Sequence, residues 1–251
     1  MIVISFILKG ELVMKPIIGI VSKNITMTDF FDWSWQRISN DVRYSVNKNG
    51  GLALGILPQT LRQKFNLSAE PENIPLSDQE KDDLKNLIDM CDGIILPGGI
   101  STHNYEEFIA QHCYENDIPL LGICSGYNNI IRGLGGVAIK NDNLDLHDRP
   151  DLKYAHKCKV IDKDSLFYSI VQDEEFWVNS IHSYIGVELP STLKIVALSE
   201  DGQIEVVEAK DRRFFMGVKY HPEMLVDEDE KQNKIFVRFI QACAKKGHKG
   251  E

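Results

Sequence analysis

Pro119-Leu120-Leu121-Gly122-Ile123-Cys124-Ser125-Gly126-Tyr127-Asn128 runs a short apolar segment straight into a cysteine flanked by glycines. The apolar part, opened by a proline, reads as a strand buried on both faces. Residues 127–132 then take up helical spacing. A Gly-x-Cys-x-Gly turn between a strand and a helix is the setting for a sharp elbow that lifts a nucleophile above the C-terminal edge of a sheet. The glycines belong there because helix and neighbouring strand pass close to the turn, where a Cβ would clash. Cys124 also sits at a helix N-terminus, whose partial positive charge favours thiolate. A buried structural cysteine beside a tight turn fits the same letters, so the elbow alone does not decide the chemistry.

The flanking chain supplies the rest of a sheet. Residues 17–21, 52–57 and 93–96 are short apolar runs bounded by turn residues, as in strands covered on both faces. Helical spacing occupies residues 39–49, stopping at Gly50-Gly51, and residues 105–115. Ser77-Asp78-Gln79-Glu80 has the form of a capping box opening a helix through residue 90. Strands alternating with helices imply βαβ units and a parallel sheet. Beyond residue 156 the pattern changes. Runs at 157–161, 176–181, 193–198, 204–209 and 214–220 are strand-like and closely spaced, with Asp201-Gly202 and Asp211-Arg212 as turns, which predicts antiparallel pairing. An amphipathic helix over 227–245 closes the chain. The fold class expected is α/β, a mostly parallel central sheet flanked by helices, with additional antiparallel strands in the C-terminal half.

No repeat or low-complexity linker divides the chain, so residues 14–251 are expected to form a single domain. Residues 1–13 begin with the apolar MIVISFIL and continue with Lys9-Gly10-Glu11. A secretory signal would place its positive charge before the apolar stretch. The segment is expected to be an N-terminal extension outside the fold, with a short amphipathic anchor as the alternative.

The 251 residues carry 28 Lys+Arg against 37 Asp+Glu, a formal net charge of −9. That balance opposes nucleic-acid binding, which needs clustered basic residues. No apolar run reaches the roughly 20 residues of a membrane-spanning helix. Five scattered cysteines, without a C-x-x-C pair, disfavour a disulfide framework and point to a cytoplasmic, reducing setting. His156-x-Cys158 and His112-Cys113 lack a second spaced pair of ligands. No metal and no cofactor is therefore expected.

Two further turns bear on Cys124. Tyr220-His221-Pro222-Glu223 follows an apolar strand. Pro222 biases His221 towards extended backbone, in which residues i and i+2 point the same way, so Glu223 is expected to meet the imidazole. A base oriented by an acid is what a cysteine nucleophile requires. Leu96-Pro97-Gly98-Gly99 is a glycine turn at another strand's end, able to aim a backbone N–H at a developing oxyanion. Singly, each is as consistent with a plain turn.

Taken together and in this order, these features resemble the class I glutamine amidotransferase superfamily, and within it the γ-glutamyl-γ-aminobutyrate hydrolase-like (peptidase C26) branch, whose fold is flavodoxin-like. The stretches that carry the resemblance are KPIIGIV at 15–21, GGLALGILP at 50–58, DGIILPGG at 92–99, PLLGICSGYN at 119–128, VNSIHSY at 178–184 and GVKYHPE at 217–223. The resemblance implies Cys124 as nucleophile, His221 as general base and Glu223 as its orienting acid. It implies the backbone N–H groups of Gly99 and Ser125 as an oxyanion hole. Gly98, Asn128, Asn179, His182 and Ser183, with Ser180 beside them, would lie near the substrate. Asn128 stands where the family usually has Gln, and Ser125 matches neither branch's usual residue after the cysteine. The implied activity is hydrolysis of a small γ-glutamyl amide to glutamate and free amine through a γ-glutamyl thioester. Two alternatives stay open: a glutaminase delivering ammonia to a separate synthetase partner, and a catalytically silent binding protein on the same fold. The partner expected is a small γ-glutamyl substrate, with homo-oligomerisation or a synthetase partner also open. Specificity would fall to loops at 24–37, 100–105 and 141–154. Trp33 and Trp35, with Phe30 and Phe31, read as core packing or as a wall of that pocket.

Overall fold

Fifteen strands and six α-helices occupy the residues that the computed structural model describes, 5–8, 11–27, 33–59, 75–99, 104–141 and 144–244. In chain order they are β1 (Ser5–Leu8), β2 (Glu11–Met14), β3 (Ile17–Val21), β4 (Lys23–Met27), β5 (Trp33–Arg37), α1 (Asn40–Lys48), β6 (Leu52–Ile56) and α2 (Asp78–Asp89). Next come β7 (Gly93–Leu96), α3 (Asn104–Glu115), β8 (Leu120–Ile123), α4 (Ser125–Gly133), β9 (Val137–Lys140), β10 (His156–Val160), α5 (Leu166–Val171) and β11 (Glu175–Val178). The chain ends with β12 (Tyr184–Glu188), β13 (Leu193–Ser199), β14 (Ile204–Ala209), β15 (Phe215–Val218) and α6 (Glu230–Cys243).

One nine-stranded sheet, ordered β11-β10-β13-β14-β15-β8-β7-β3-β6, organises the molecule. Strands β6, β3, β7, β8 and β15 are mutually parallel, and β14, β13, β10 and β11 extend the sheet antiparallel. The strands of the parallel half are short and apolar because both faces are covered. Ile18, Ile20, Ile95, Leu121 and Ile123 meet α1 and α6 on one face, while Val21, Ile94, Leu96 and Leu120 meet α2, α3 and α4 on the other. That alternation is the period-2 geometry of a strand. Ser39 caps α1, and Ser77 with Glu80 forms the expected capping box on α2.

Several expectations shift in detail. β11 ends at Val178 instead of running to 181, because Asn179 and Ser180 turn away to bond other segments. Three features had no strong local pattern: the β4–β5 hairpin, the β9–β12 pair and the short α5. Residues 1–13 were expected outside the fold; β1 and β2 pair only with each other among the described residues. Trp35 lies on β5 and is 52% exposed, so it is not core. Phe30, Phe31, the side chain of Trp33 and most of the 100–105 loop lie outside the described residues. No helix among the described residues is long and apolar enough to cross a membrane.

The sheet's close packing is most demanding at Gly126. A Cβ there would lie 2.0 Å from the Leu96 carbonyl oxygen, a backbone atom of a buried strand. Gly126→Ala is expected to destabilise the fold by about 1–3 kcal/mol through overpacking. Denaturant unfolding, with an unchanged m-value, would measure it.

Candidate functional site

Cys124 stands between β8 and α4 with φ 54° and ψ −103°. A non-glycine residue in that region is strained, a cost of order 1–3 kcal/mol that the surroundings must hold. Two close approaches hold it. Gly126 lets α4 abut the end of β7, as above, and a Cβ on Gly122 would lie 2.7 Å from the Gly126 carbonyl oxygen. The turn therefore cannot relax without pulling α4 off the sheet. Ser125 begins α4, so its N–H has no acceptor within the helix. The Cys124 Sγ lies 3.7 Å from the Ile181 carbonyl oxygen.

His221 follows β15, the strand paired parallel to β8 in register Val218 with Ile123. That pairing brings the two strand ends, and so the thiol and the imidazole, to one edge. The expected route to Glu223 needs correction. Pro222–Met224 is a turn of 3₁₀ helix, not extended backbone, because Pro222 occupies the first helical position, where its missing N–H is harmless. The contact forms nonetheless: His221 Nδ1 lies 2.8 Å from Glu223 Oε1. With Nδ1 engaged by a carboxylate, Nε2 is the nitrogen left for the thiol. Gly98 permits this, since a Cβ on it would sit 2.6 Å from His221 Cε1 and 3.4 Å from the Cys124 Cβ.

The electrostatics agree with a coupled pair. Burial opposes ionisation of the Cys124 thiol, yet the charge and hydrogen bond of His221, aided by Lys219, bring it below its ordinary value. Burial would likewise depress His221, but Glu223 and Cys124 outweigh it and hold the imidazolium well above its usual range. The contrast among the cysteines is clear. Desolvation, with the charge of Asp92, pushes Cys91 up to about 11, and burial raises Cys113, Cys158 and Cys243.

The other anticipated residues fall into place unevenly. Asn179 donates Nδ2–H to the His221 carbonyl at 2.9 Å and accepts the His221 N–H on Oδ1 at 2.8 Å. Expected to touch substrate, it also clamps the backbone that carries the imidazole. Asn128 is buried, and its Oδ1 accepts a 2.7 Å hydrogen bond from Lys219 Nζ. Ser183 offers its carbonyl to Asn141 N. His182 is buried away from solvent, and desolvation, with Lys219 and neighbouring histidines, holds it well below its ordinary value. Gly99 packs on the stem of Lys23, which ion-pairs with the buried Glu106.

Lys219 was not singled out from the sequence. It is buried and placed against Asn128 and the Tyr127 ring, and desolvation brings its ammonium down to about 8. A lysine directly after an apolar strand, two residues before His221, is the signal that marks it.

The pair sets the expected pH behaviour. Thiolate and imidazolium coexist between the lowered thiol value and the raised imidazolium value, so activity should fall on both sides of that window. Glu223→Gln removes the charge that raises His221 and should move the alkaline limb of kcat/KM to lower pH. A limb that stays in place would refute the coupling. Asn179→Ala should lower kcat more than it raises KM.

The chain is similar to several known proteins. The Peptidase C26 family model matches residues 101–223. A γ-glutamyl-γ-aminobutyrate hydrolase of Escherichia coli (strain K12) is 27% identical over 224 residues, covering 75% of this chain and 88% of that protein. CTP synthase of Chlamydia muridarum is 27% identical over 204 residues, 68% of this chain but 37% of that longer protein. Among solved structures, the Trypanosoma brucei CTPS glutaminase domain with bound acivicin superposes with a TM-score of 0.64 at 18% identity, covering 93% of this chain and 96% of that one. The chain is thus similar to Peptidase C26 proteins over residues 101–223, just under half of its length, and shares the fold of the CTPS glutaminase domain.

Proposed function

We propose that this protein hydrolyses the γ-glutamyl amide bond of a small molecule, with Cys124 as nucleophile. The observation that carries the reading is the strained, glycine-walled elbow that sets a thiol of lowered pKa beside an imidazole already held by Glu223. The match to a γ-glutamyl-γ-aminobutyrate hydrolase over most of both chains supports the substrate class.

In this reading the Cys124 thiolate attacks the γ-carbonyl carbon. The carbonyl oxygen takes up the negative charge, facing the N–H groups of Ser125 and Gly99. The C–N bond then breaks as the His221 imidazolium gives its proton to the departing amine, leaving a γ-glutamyl thioester. Neutral His221 next takes a proton from water, whose oxygen attacks the thioester carbonyl. The C–S bond breaks, glutamate leaves, and thiolate and imidazolium are restored. Glu223 keeps the imidazole oriented and stabilises its charged form, Asn179 fixes the backbone beneath it, and Lys219 favours the thiolate. Gly98, Asn128, Asn179, His182 and Ser183 were the expected substrate contacts. Of these Gly98 borders the reacting pair most directly.

A second reading has its own support. CTP synthase of Chlamydia muridarum and the glutamine-hydrolysing GMP synthase of Thermosipho africanus match this chain over 37% and 30% of their own lengths. The chain would then release ammonia from glutamine for a synthetase partner, using the same groups. A silent binding protein would have no use for a lowered thiol beside a raised imidazolium.

The test is a hydrolysis screen of γ-glutamyl-γ-aminobutyrate, γ-glutamyl-putrescine and glutamine, with Cys124→Ala as control. Turnover of a γ-glutamyl amine above that of glutamine is expected, falling about 10⁴-fold or more in Cys124→Ala. Hydrolysis surviving in that variant sinks the assignment. Glutamine turnover that arises only with a synthetase present would instead support the second reading.

A further inference from the structure

Four buried side chains outside the proposed chemistry converge beneath the 179–183 loop. They are His147 from the 144–148 turn, His156 on β10, His182 on the loop itself and Glu205 on β14. One ligand atom from each lies within 4.8 Å of the others. His147 Nδ1, His156 Nε2 and His182 Nε2 approach Glu205 Oε1 at 3.7, 3.6 and 3.8 Å respectively. All four of these atoms are buried without a hydrogen-bond partner.

The outer partners decide what the inner nitrogens carry. His147 Nε2 lies 3.0 Å from Asp201 Oδ2, and a carboxylate can only accept, so the neutral ring keeps its proton on Nε2 and turns the Nδ1 lone pair inward. His156 Nδ1 lies 3.2 Å from the Lys157 carbonyl oxygen, which likewise puts its proton outward and leaves Nε2 bare. Two bare nitrogens therefore face a carboxylate oxygen in a dry interior, acceptor against acceptor. A positive group between them relieves that opposition. Protons fit poorly, because an N–H···O bond needs about 2.7–3.2 Å, shorter than each of these separations. A cation fits better: donors bound at about 2.0–2.2 Å to a tetrahedral zinc-type ion lie about 3.4 Å apart. The three nitrogen–carboxylate separations close with a contraction of a few tenths of an ångström, and the widest pair in the set, within 4.8 Å, needs a shift of about 1.4 Å.

From this geometry we infer that His147, His156, His182 and Glu205 form a closed site for one divalent ion of the zinc type. Three imidazoles and one carboxylate suit a borderline first-row ion, whereas calcium and magnesium need mostly oxygen donors. The charges also balance. Glu205 cancels one of the ion's two positive charges, and the negative charge of Asp201, bonded to His147 and to Ser199 Oγ at 2.5 Å, offsets the other. Acceptors on the far nitrogens of metal-bound histidines are what such sites use to fix the ring. With four protein ligands and no exposed face, the ion would serve structure and not bind substrate. Its place in the fold says what it would hold. It would tie β10 and β14 to the loop carrying Asn179, which clamps His221, and Ile181, whose carbonyl faces Cys124. Neither His156-x-Cys158 nor His112-Cys113 forms the set; only His156 belongs to it.

The test is metal analysis of the full chain, purified without a metal-affinity tag and without chelator. About one zinc-type ion per chain is expected in the wild type and equally in Cys124→Ala, which excludes binding at the reactive thiol. Chelated protein titrated with Co²⁺ alone should show visible d–d bands without a thiolate charge-transfer band. Zn²⁺ should compete for the same site and raise the Tm of the chelated protein. Asp201→Asn, at a partly exposed position that need not disturb folding, should weaken Co²⁺ binding about 10–100-fold, and Glu205→Gln should weaken it further. A wild type that takes up neither Zn²⁺ nor Co²⁺ stoichiometrically overturns the site. So does Co²⁺ binding unchanged in Asp201→Asn, or a spectrum carrying thiolate charge transfer. None of these readouts depends on hydrolysis, so the proposed activity and the metal site can fail separately.

Discussion

The approach of α4 to the end of β7 is the constraint on which the rest of the site depends. With Gly126 seated under the Leu96 carbonyl and Gly122 under the Gly126 carbonyl, Cys124 has no room to leave its positive-φ conformation. The strain is local, but the burial that opposes its release is spread over both core clusters. Because β8 pairs in parallel register with β15, the same packing fixes where His221 emerges. Position and protonation are thus linked. A thiol placed here feels the imidazolium, and an imidazole placed here feels both the thiol and Glu223.

Behind that pair lies a supporting layer contributed by the antiparallel half of the sheet. Asn179 uses an amide N–H and its carbonyl oxygen on the His221 backbone. Lys219 links Asn128 to β14 through its side chain and backbone. Ser180 Oγ donates to the His147 carbonyl, and His147 accepts the His182 N–H on the same oxygen. The parallel half presents the elbow, and the antiparallel half determines how rigidly its partner is held. Buried polar groups of this kind specify one arrangement because leaving any of them unpaired is costly.

Much of this was legible in the letters. The strands at 17–21, 93–96 and 204–209 and the capped helix after Ser77 follow from apolar periodicity and local capping, which act over a few residues. The elbow was legible for the same reason, since glycine spacing and the strand before it are local facts. The β9–β12 pair was not, because its two short strands owe their conformation to partners more than 40 residues away. His221 and Glu223 were expected to meet through extended backbone; a proline-led 3₁₀ turn achieves it instead. Asn179 was read as a substrate contact; its bonds to the His221 backbone, 42 residues away, have no signal in its own neighbourhood.

The sequence by itself determined the α/β alternation, the glycine-flanked cysteine and the presence of a histidine and an acid two residues apart. Those are properties of contiguous segments, governed by periodicity, turn chemistry and caps. Only the tertiary structure decided which titratable groups share a dry volume. Lys219 against Asn128, and the histidines 147, 156 and 182 around Glu205, come from segments far apart in the chain. Their proximity follows from sheet order and strand register, and desolvation then sets their charge, so neither could be read from any one stretch of residues.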